Sequence, residues 1–424
     1  MARRLRRQAK ANNRARIFSD IQEIYLTARL FKEWRFFGED EVSQRDSIGI
    51  VETKTITFSP PGGFLLECGQ KLETVTIAYE TYGELNRDRT NAILIVHALS
   101  GDANAAGFHR GARKPGWWDS MIGPAKGFDT DKYFVICSNI LGGCKGTTGP
   151  ASINPATGRP YGLSFPLISI HDMVNCQKLL VDYFKIEKLL SVSGGSMGGM
   201  QVLSWLTRYP HRVRSVIPIS TAIKHSPQQI AFNEVGRQAI MADIHWKSGN
   251  YYGGPPPARG LSVARMVGHI TYMSDTSMHE KFGRQRKDSI ETFKFNPDFE
   301  VEGYLHYHGE NFVKRFDANS YLYITKAMDN FDAAEGGSLH ELLRATDSKV
   351  LVIAFKSDWL YPAYQTREIV RACKLAGIEA SYCEIDSTYG HDAFLLEIEE
   401  ETHLITHFLK KVYNGYEVMT EYAI

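Results

Sequence analysis

A serine flanked by glycines is the feature of this 424-residue sequence with the clearest potential for chemistry. Residues 194–198 read Gly-Gly-Ser-Met-Gly, and this Gly-x-Ser-x-Gly pattern comes after an apolar run and before a helical one. The context is typical of a nucleophilic serine, because side chains two residues to either side of it would collide with the neighbouring strand and helix. The pattern therefore predicts that the Ser196 hydroxyl is thrust into a cleft, where it becomes acylated.

The base and the orienting carboxylate that such a serine needs both follow later in the chain. Asp358 comes just after the apolar run 350–355, and His391 comes after a second run that ends near Ile385. The order Ser, Asp, His is one of the known orders of a catalytic triad. We therefore predict that His391 takes the proton of Ser196 and that Asp358 holds the imidazole in the required tautomer.

Two backbone N–H groups are predicted to stabilise the negative charge that develops on the acyl oxygen. The N–H of Met197 follows the nucleophile at the start of a helix and points to where this oxyanion would form. The loop 97–101 follows the apolar run 93–96, so the N–H of Leu99 is the candidate for the second donor. We interpret His97 as a residue that shapes this loop, since no set of metal ligands accompanies it.

Short β-type runs alternate with helical patterns from residue 52 onwards, which indicates βαβ units and a mostly parallel sheet. Several runs are almost continuously apolar, as strands covered on both faces should be. A helix is predicted at 172–183, just before the strand that leads to Ser196. The predicted strands are 55–58, 76–80, 93–97, 134–138, 190–193, 216–220, 350–355 and 382–385.

The alternation stops between residues 223 and 345, where helix-like segments surround the run Tyr-Tyr-Gly-Gly-Pro-Pro-Pro at 251–257. The gap of 162 positions from Ser196 to Asp358 is also longer than a bare sheet needs. We therefore predict a helical lid that is inserted into the sheet domain and roofs the active site. The predicted division is a basic, partly helical N-terminal extension at 1–45, a first part of the core at 46–222, the lid at 223–345 and a second part of the core at 346–424.

The composition is that of a globular protein with an ample core, at 43% hydrophobic and 23% charged residues. No apolar run nears the ~18 residues that a membrane-spanning helix requires, and the six scattered cysteines favour a reducing compartment. Residues 1–19 carry seven basic side chains and no acidic one, which we interpret as a solvated tail leading into a helix. Because dinucleotide, phosphate-loop and metal-ligand motifs are missing, we expect neither a metal ion nor a tightly held cofactor.

The sequence resembles the homoserine O-acetyltransferases, a family of the α/β-hydrolase fold. The resemblance runs from about residue 64 to residue 408. Besides the serine motif, it depends on blocks such as Asn-Ile-Leu-Gly-Gly-Cys at 139–144 and Ala-Phe-Asn-Glu-Val-Gly-Arg at 231–237. The other matching blocks are 78–83, 97–101, 116–118, 146–150, 264–266, 269–272 and 281–284. So many blocks in one order exclude a coincidence.

The resemblance implies an α/β-hydrolase fold, with a mostly parallel central sheet and an inserted helical lid, and it implies Ser196, Asp358 and His391 as the triad. It implies acetyl-CoA as the acyl donor, a substrate and not a cofactor, and L-homoserine as the acceptor in methionine biosynthesis. It also implies that Arg265 grips the homoserine carboxylate and that Asp392 receives its ammonium group, as guanidinium and carboxylate chemistry allows. A cytoplasmic homodimer that joins through the lid is expected, with no nucleic-acid partner.

Three alternatives stay open at this point. Succinyl-CoA as the donor or L-serine as the acceptor would need few changes in the pocket, although residues 146–150 and 326–329 are more similar to the acetyl-using members. An esterase or thioesterase would use the same triad, because water competes with an alcohol for one acyl-enzyme. A binding scaffold without chemistry is disfavoured by the intact Ser196, Asp358 and His391.

Overall fold

An eight-stranded sheet forms the centre of the computed structural model, which describes residues 47–287 and 297–421. The predicted basic extension at 1–45 lies outside the described residues. The strands are β1 (Lys54–Phe58), β2 (Val75–Tyr82), β3 (Ala92–Ile95), β4 (Phe134–Ser138), β5 (Ser191–Gly195), β6 (Ser215–Ile219), β7 (Lys349–Phe355) and β8 (Ala380–Ile385). Each agrees with a strand predicted from the sequence to within two residues at either end, which confirms the predicted sheet.

The strand order across the sheet is β1-β2-β4-β3-β5-β6-β7-β8. Strand β2 runs antiparallel to both of its neighbours, β1 and β4, and all other neighbouring pairs are parallel. Because parallel strands end at the same edge of a sheet, the loops after β3, β5, β7 and β8 come together. These loops carry Leu99, Ser196, Asp358 and His391, so the topology alone assembles the candidate site.

Helices cover the sheet and bury its central strands. Every residue of β3, β4, β5 and β6 is buried, which explains the nearly continuous apolar runs of β3 and β4. The predicted helix at 172–183 begins two residues earlier because Ser169 and Asp172 form a capping box. The helices of the described chain are α1 (Ile170–Tyr183), α2 (Met197–Arg208), α3 (Pro227–Ala242), α4 (Ala258–Tyr272), α5 (Asp275–Phe282), α6 (Glu300–Val313), α7 (Ala318–Asn330), α8 (Leu339–Leu343), α9 (Ala363–Ala376) and α10 (Ile398–Glu421).

Six of these helices, α3 to α8, lie between β6 and β7, and we call this segment, residues 227–343, the cap. Helix α3 starts sharply because Ser226 and Gln229 form a capping box around Pro227. The cap has an apolar cluster of its own, with Ile240 and Phe312 among its buried members. It is therefore a packed helical unit, while the exact domain boundaries at residues 222 and 345 stay a prediction.

Two further features of the described chain concern its environment. None of the described helices is both long and apolar enough to cross a membrane. All six cysteines lie within the described residues and carry free thiols. Burial raises the pKa of the Cys137, Cys176 and Cys373 thiols, so these three are held protonated at neutral pH.

Candidate active site

Ser196 lies in a sharp turn between β5 and α2. Its backbone has φ 59° and ψ −124°, a conformation that L-residues rarely adopt and that stores strain. Gly194 and Gly198 show why the turn needs glycine: a Cβ atom on either would lie 2.3 Å from the carbonyl oxygen of Val96. Because both glycines press against the same point, a larger residue at either position would push the turn away from the end of β3.

The structure brings Asp358 and His391 together in a buried pair. Nδ1 of His391 lies 2.7 Å from Oδ2 of Asp358, and the two residues are 3% and 2% exposed. The other carboxylate oxygen of Asp358, Oδ1, accepts the backbone N–H groups of Leu360 at 3.1 Å and Tyr361 at 2.8 Å. An ionised carboxylate only accepts hydrogen bonds, so Nδ1 of His391 carries the hydrogen and Nε2 is left as a base.

Two aromatic rings, those of Tyr361 and Phe394, pack against His391 close to Ser196. The His391 ring stacks on Tyr361, with centroids 5.0 Å apart and planes at 27°, and its centroid lies 5.6 Å from that of Phe394. Phe394 in turn packs on Gly195, where a Cβ atom would meet the ring at 2.6 Å. Among the described residues no direct hydrogen bond joins Ser196 to His391, and Tyr361 lines the same cavity as Ser196. Catalytic hydrogen bonds are often open in a free enzyme and tighten when the substrate binds.

The loop after β3 directs the backbone N–H of Leu99 away from the His97 side chain. Nε2 of His97 accepts the N–H of Ile140 at 3.3 Å, so its Nδ1 donates to the carbonyl oxygen of Ala98 at 2.7 Å. In a trans peptide the N–H points opposite to the carbonyl, so the N–H of Leu99 faces away from His97. Within the described chain neither this N–H nor that of Met197 donates to a protein acceptor. Both are available for an oxyanion, and His97 shapes the loop.

A small cavity opens on Ser196, between the sheet and the cap. About 40 Å³ of it is open to water-sized molecules, which is room for a few heavy atoms. The cap contributes apolar side chains to its lining, among them Phe232, Val267 and Met328, and the core contributes the hydroxyl of Tyr361. No lysine or arginine belongs to the lining, so the cavity suits a small uncharged group.

Two arginines meet at Ser100, next to the loop position of Leu99. Nη1 of Arg265 lies 3.3 Å from Ser100 Oγ, and Nη1 of Arg315 lies 2.9 Å from the Ser100 carbonyl oxygen. The two guanidinium groups lie 4.8 and 5.1 Å from the centre of the Phe312 ring. Burial, together with the neighbouring Arg265 charge, lowers the pKa of Arg315. Since neither arginine forms an ion pair within the described residues, the two present a positive site to an anionic group.

The histidines beside this positive site are neutral. His269 and His308 lie with their ring centroids 4.1 Å apart. Burial, followed by the Arg265 charge, lowers the pKa of His269 to about 2 and that of His308 to about 4. Neither imidazole competes for an anion at neutral pH. In the described ranges no three His, Cys, Asp or Glu side chains lie close enough together to hold a metal ion.

Asp392 follows His391 in the 3₁₀ helix Gly390–Leu395. Its side chain is partly buried and has neither a hydrogen-bond donor nor an ion-pair partner in the described part of the chain. Burial raises the pKa of the Asp392 carboxyl, against the opposing pull of the His391 and Arg265 charges. A partly buried carboxylate without a partner gains free energy when a cationic group of a substrate approaches it.

Comparison with known proteins shows the family to which this chain belongs. Residues 91–398 match the family described as the alpha/beta hydrolase fold. The homoserine O-acetyltransferase of Methanohalobium evestigatum is 59% identical over 368 residues, which make up 87% of this chain and 75% of that protein. The homoserine O-acetyltransferase of Deferribacter desulfuricans is 55% identical over 373 residues, 88% of this chain and 98% of that protein. The chain belongs to the homoserine O-acetyltransferase family. Both the resemblance seen in the sequence and the predicted α/β-hydrolase fold are confirmed.

Solved structures on the same scaffold include homoserine O-acetyltransferases and esterases. The crystal structure of homoserine O-acetyltransferase from Bacillus anthracis has a TM-score of 0.79 and 32% identity, over 85% of this chain and 98% of that chain. The crystal structure of esterase E22 has a TM-score of 0.78 and 30% identity, over 85% of this chain and 100% of that chain. Since one scaffold serves both groups of proteins, the residues that receive the acyl acceptor must separate transfer from hydrolysis.

Three residues of this candidate site carry no signal in the sequence by themselves. Tyr361 follows Asp358 by three positions, and this loop position was the available clue. His225 and Arg315 belong to the segment between β6 and β7, where no motif or strand end marks a functional residue. Only the folded cap brings these two side chains to the ends of the core strands.

Proposed function

We propose that this protein transfers the acetyl group of acetyl-CoA to the hydroxyl of L-homoserine, a step of L-methionine biosynthesis. The observation that carries the proposal is its 59% identity, over 87% of the chain, to a homoserine O-acetyltransferase. The site supports it with a strained serine, a His-Asp pair and, among the described residues, charges of both signs that form no ion pair. A free amino acid brings one carboxylate and one ammonium group, so it can use both charges at once.

In the first half-reaction Ser196 attacks the thioester carbonyl of acetyl-CoA. Nε2 of His391 takes the hydroxyl proton as the Oγ–C bond forms, and Asp358 stabilises the imidazolium that results. The N–H groups of Leu99 and Met197 receive the negative charge of the tetrahedral oxygen. The C–S bond then breaks and His391 returns the proton to the sulfur. CoA leaves as a thiol and acetyl-Ser196 remains.

In the second half-reaction the homoserine hydroxyl repeats these steps in reverse. His391 takes the hydroxyl proton while the oxygen attacks the acetyl carbonyl, and the same two backbone N–H groups hold the oxyanion. The bond to Ser196 Oγ breaks, the proton returns to this oxygen and O-acetylhomoserine leaves. No metal or bound cofactor takes part in either step of this proposal, in which acetyl-CoA is a substrate.

The acceptor is held by its two charged groups. Arg265 binds the homoserine carboxylate, since neither it nor the neighbouring Arg315 forms an ion pair among the described residues. Asp392 binds the ammonium group, since its partly buried carboxylate has no ion-pair partner in the described ranges. Water has neither charged group, so these contacts favour the amino acid over water at the acetyl-enzyme.

The cavity at Ser196 favours acetyl over succinyl as the group transferred. Its roughly 40 Å³ of open space fits a methyl group better than a four-carbon chain. A succinyl group would also bring a carboxylate into a lining without lysine or arginine. Burial of that charge without a partner would cost several kcal/mol on the order-of-magnitude scale for ions.

The experiment that tests the function is a set of steady-state assays that combine acetyl-CoA or succinyl-CoA with L-homoserine or L-serine. We expect rapid CoA release only with acetyl-CoA and homoserine together, and formation of O-acetylhomoserine in equal amount. CoA release at the same rate without homoserine would identify a thioesterase instead. A preference for succinyl-CoA or serine would overturn the substrate assignment while leaving the covalent route intact.

Replacing Asp392 by asparagine is expected to lower kcat/KM for homoserine about a hundredfold, because a partly buried charge pair loses one partner. The rate of CoA release in the first half-reaction should stay close to that of the unchanged protein. Because burial raises the pKa of Asp392, the carboxyl becomes protonated as the pH falls and homoserine binding weakens. The factor by which Asp392→Asn lowers kcat/KM for homoserine should therefore become smaller towards low pH. Equal losses in both half-reactions would assign Asp392 to the chemistry and not to the ammonium group.

We further propose a cytoplasmic homodimer without a nucleic-acid partner. The free thiols of all six cysteines support a reducing compartment. Large apolar side chains on the cap helices support self-association there, since Val235, Val263, Ile270 and Tyr307 are 53%, 42%, 44% and 62% exposed. Sedimentation velocity at micromolar concentration tests the dimer, and a monomer that persists across the range would refute it.

A further inference from the structure

Tyr361 contacts two members of the proposed triad and lies near the third. Its backbone N–H donates to Oδ1 of Asp358 at 2.8 Å. Its ring stacks on the imidazole of His391, with centroids 5.0 Å apart. It also lines the cavity that opens on Ser196. A displacement of Tyr361 would therefore disturb the base and the orienting carboxylate together.

The hydroxyl of Tyr361 is fixed by a second buried His-Asp pair, in which Asp329 belongs to the cap and His225 lies just before its first helix. Nε2 of His225 lies 2.7 Å from this hydroxyl, and Nδ1 of His225 lies 2.9 Å from Oδ1 of Asp329. The side chains of His225 and Asp329 are 1% and 6% exposed. As in the pair of Asp358 and His391, a carboxylate contacts Nδ1 of a histidine. Nε2 of that histidine contacts the phenol of Tyr361 and not a serine.

Asp329 is held in place by α3. Asn233 donates to Oδ1 of Asp329 at 2.7 Å, and Arg237 forms an ion pair with Oδ2 at 2.6 Å. Burial acts to raise the pKa of Asp329, but the hydrogen bonds from His225, Asn233 and Arg237 outweigh it and leave the pKa below its ordinary value. The carboxylate is thus ionised and anchored by two residues of a cap helix.

The ionised carboxylate of Asp329 determines which group donates in each hydrogen bond of this cluster. Asp329 can only accept, so Nδ1 of His225 carries the hydrogen, and in this tautomer Nε2 accepts. Tyr361 must then donate its O–H to Nε2, because burial raises the pKa of the phenol and keeps it protonated. The series of hydrogen bonds from Arg237 to Tyr361 therefore has a single consistent set of donors. This set fixes the Tyr361 hydroxyl in one orientation.

We propose that Tyr361 is a positioning residue for the base His391 and is itself held by His225 and Asp329, so that polar side chains at and beside the cap keep the triad in place. The inference rests on the proposed function, because it takes Ser196 as the acylated nucleophile. It extends that function by making the cap part of the catalytic machinery and not only a cover. Tyr361 acts through His391, on which its ring stacks.

The test is a double-mutant cycle on the rate of Ser196 acylation, measured as CoA release from acetyl-CoA in the first turnover. We expect Tyr361→Phe and His225→Asn each to slow this release about tenfold, which is the effect of one hydrogen bond on the barrier. The double variant should be no slower than Tyr361→Phe alone, because His225 acts only through the Tyr361 hydroxyl. Effects that multiply, or single variants with unchanged rates, would overturn the proposal.

A pair of amides at position 225 separates positioning from a merely structural role. In His225→Asn the side-chain amide can replace Nδ1 towards Asp329 but cannot reach Tyr361. In His225→Gln the longer amide can offer an oxygen to the Tyr361 hydroxyl. We therefore expect Gln to restore most of the rate and Asn to restore little. The reverse order would show that only the contact with Asp329 matters and would refute the role of Tyr361.

His171 provides the matched control. It is also buried, and its Nδ1 forms one hydrogen bond, 2.7 Å long, to Ser204 Oγ. His171→Asn should change the acylation rate by the same factor with and without Tyr361→Phe. If the unchanged protein forms no acetyl-enzyme, the covalent route of the proposed function fails. If it forms one but the cycle shows no coupling, only the inference about Tyr361 fails.

Discussion

Replacing Ser196 by alanine is expected to abolish acetyl transfer, with a loss on the order of 10⁴- to 10⁶-fold in kcat. The strained turn at φ 59° presents one side chain at the junction of β5 and α2, and alanine keeps the turn while removing the oxygen that forms the acyl bond. Two measurements check this. Steady-state assays give kcat, and mass spectrometry of the protein incubated with acetyl-CoA alone should show one acetyl group on Ser196.

Ser193→Ala is the matched control for this experiment. Ser193 is fully buried on β5, three residues before the nucleophile, and its Oγ lies 3.4 Å from the carbonyl oxygen of Ile217. The variant should keep both the acetyl adduct and most of the activity. Transfer that persists in Ser196→Ala, or activity of the unchanged protein without any adduct, would exclude the covalent route and leave direct transfer between the two substrates.

Asp358→Asn is expected to lower kcat about 10⁴-fold, although the two side chains have the same shape. The backbone N–H groups of Leu360 and Tyr361 both point at Oδ1 of Asp358. In the variant these two donors select the amide oxygen for that position, so the amide NH₂ faces Nδ1 of His391. The imidazole must then accept at Nδ1 and carry its hydrogen on Nε2, where it cannot take the proton of Ser196.

The matched control is Asp386→Asn, which removes a carboxylate from the same edge of the sheet. The Asp386 side chain is 79% exposed and pairs with Lys356 on the surface at 2.7 Å. This exposed pair should contribute little, so kcat and the melting temperature should stay close to those of the unchanged protein. If Asp358→Asn also keeps kcat within about tenfold, the tautomer argument is wrong and the carboxylate has only a packing role.

The core of the proposed site was predictable because each residue stands at a fixed place relative to a strand. Ser196, Asp358 and His391 follow β5, β7 and β8, and parallel strands deliver their carboxyl ends to one edge. The strands themselves were readable since burial on both faces leaves continuous apolar runs. The two glycines around Ser196 were readable for a similar reason, because a Cβ atom at either would meet the Val96 carbonyl.

The missing hydrogen bond between Ser196 and His391 among the described residues shows what the sequence could not predict. A strand end places a residue to within a few ångströms, whereas a hydrogen bond requires a specific rotamer and orientation. The sequence could name the base but not the ring of Tyr361 that stacks on it in this structure. Whether the proton passes directly to His391 after a rotation of Ser196 is tested by the acylation experiments above.

By itself the sequence determined the α/β-hydrolase fold, the family, and the three side chains proposed to do the chemistry, because motifs and apolar periodicity are local properties of the chain. Only the tertiary structure decided what surrounds them. The hydrogen bond from Arg237 to Asp329 joins residues 92 positions apart, and that between His225 and Tyr361 joins residues 136 positions apart. The meeting of Arg265 and Arg315 at Ser100 likewise depends on how α4 and the segment after α6 pack over the sheet. Such contacts depend on packing between helices that share no sequence pattern, so they exist only once the cap has folded onto the core.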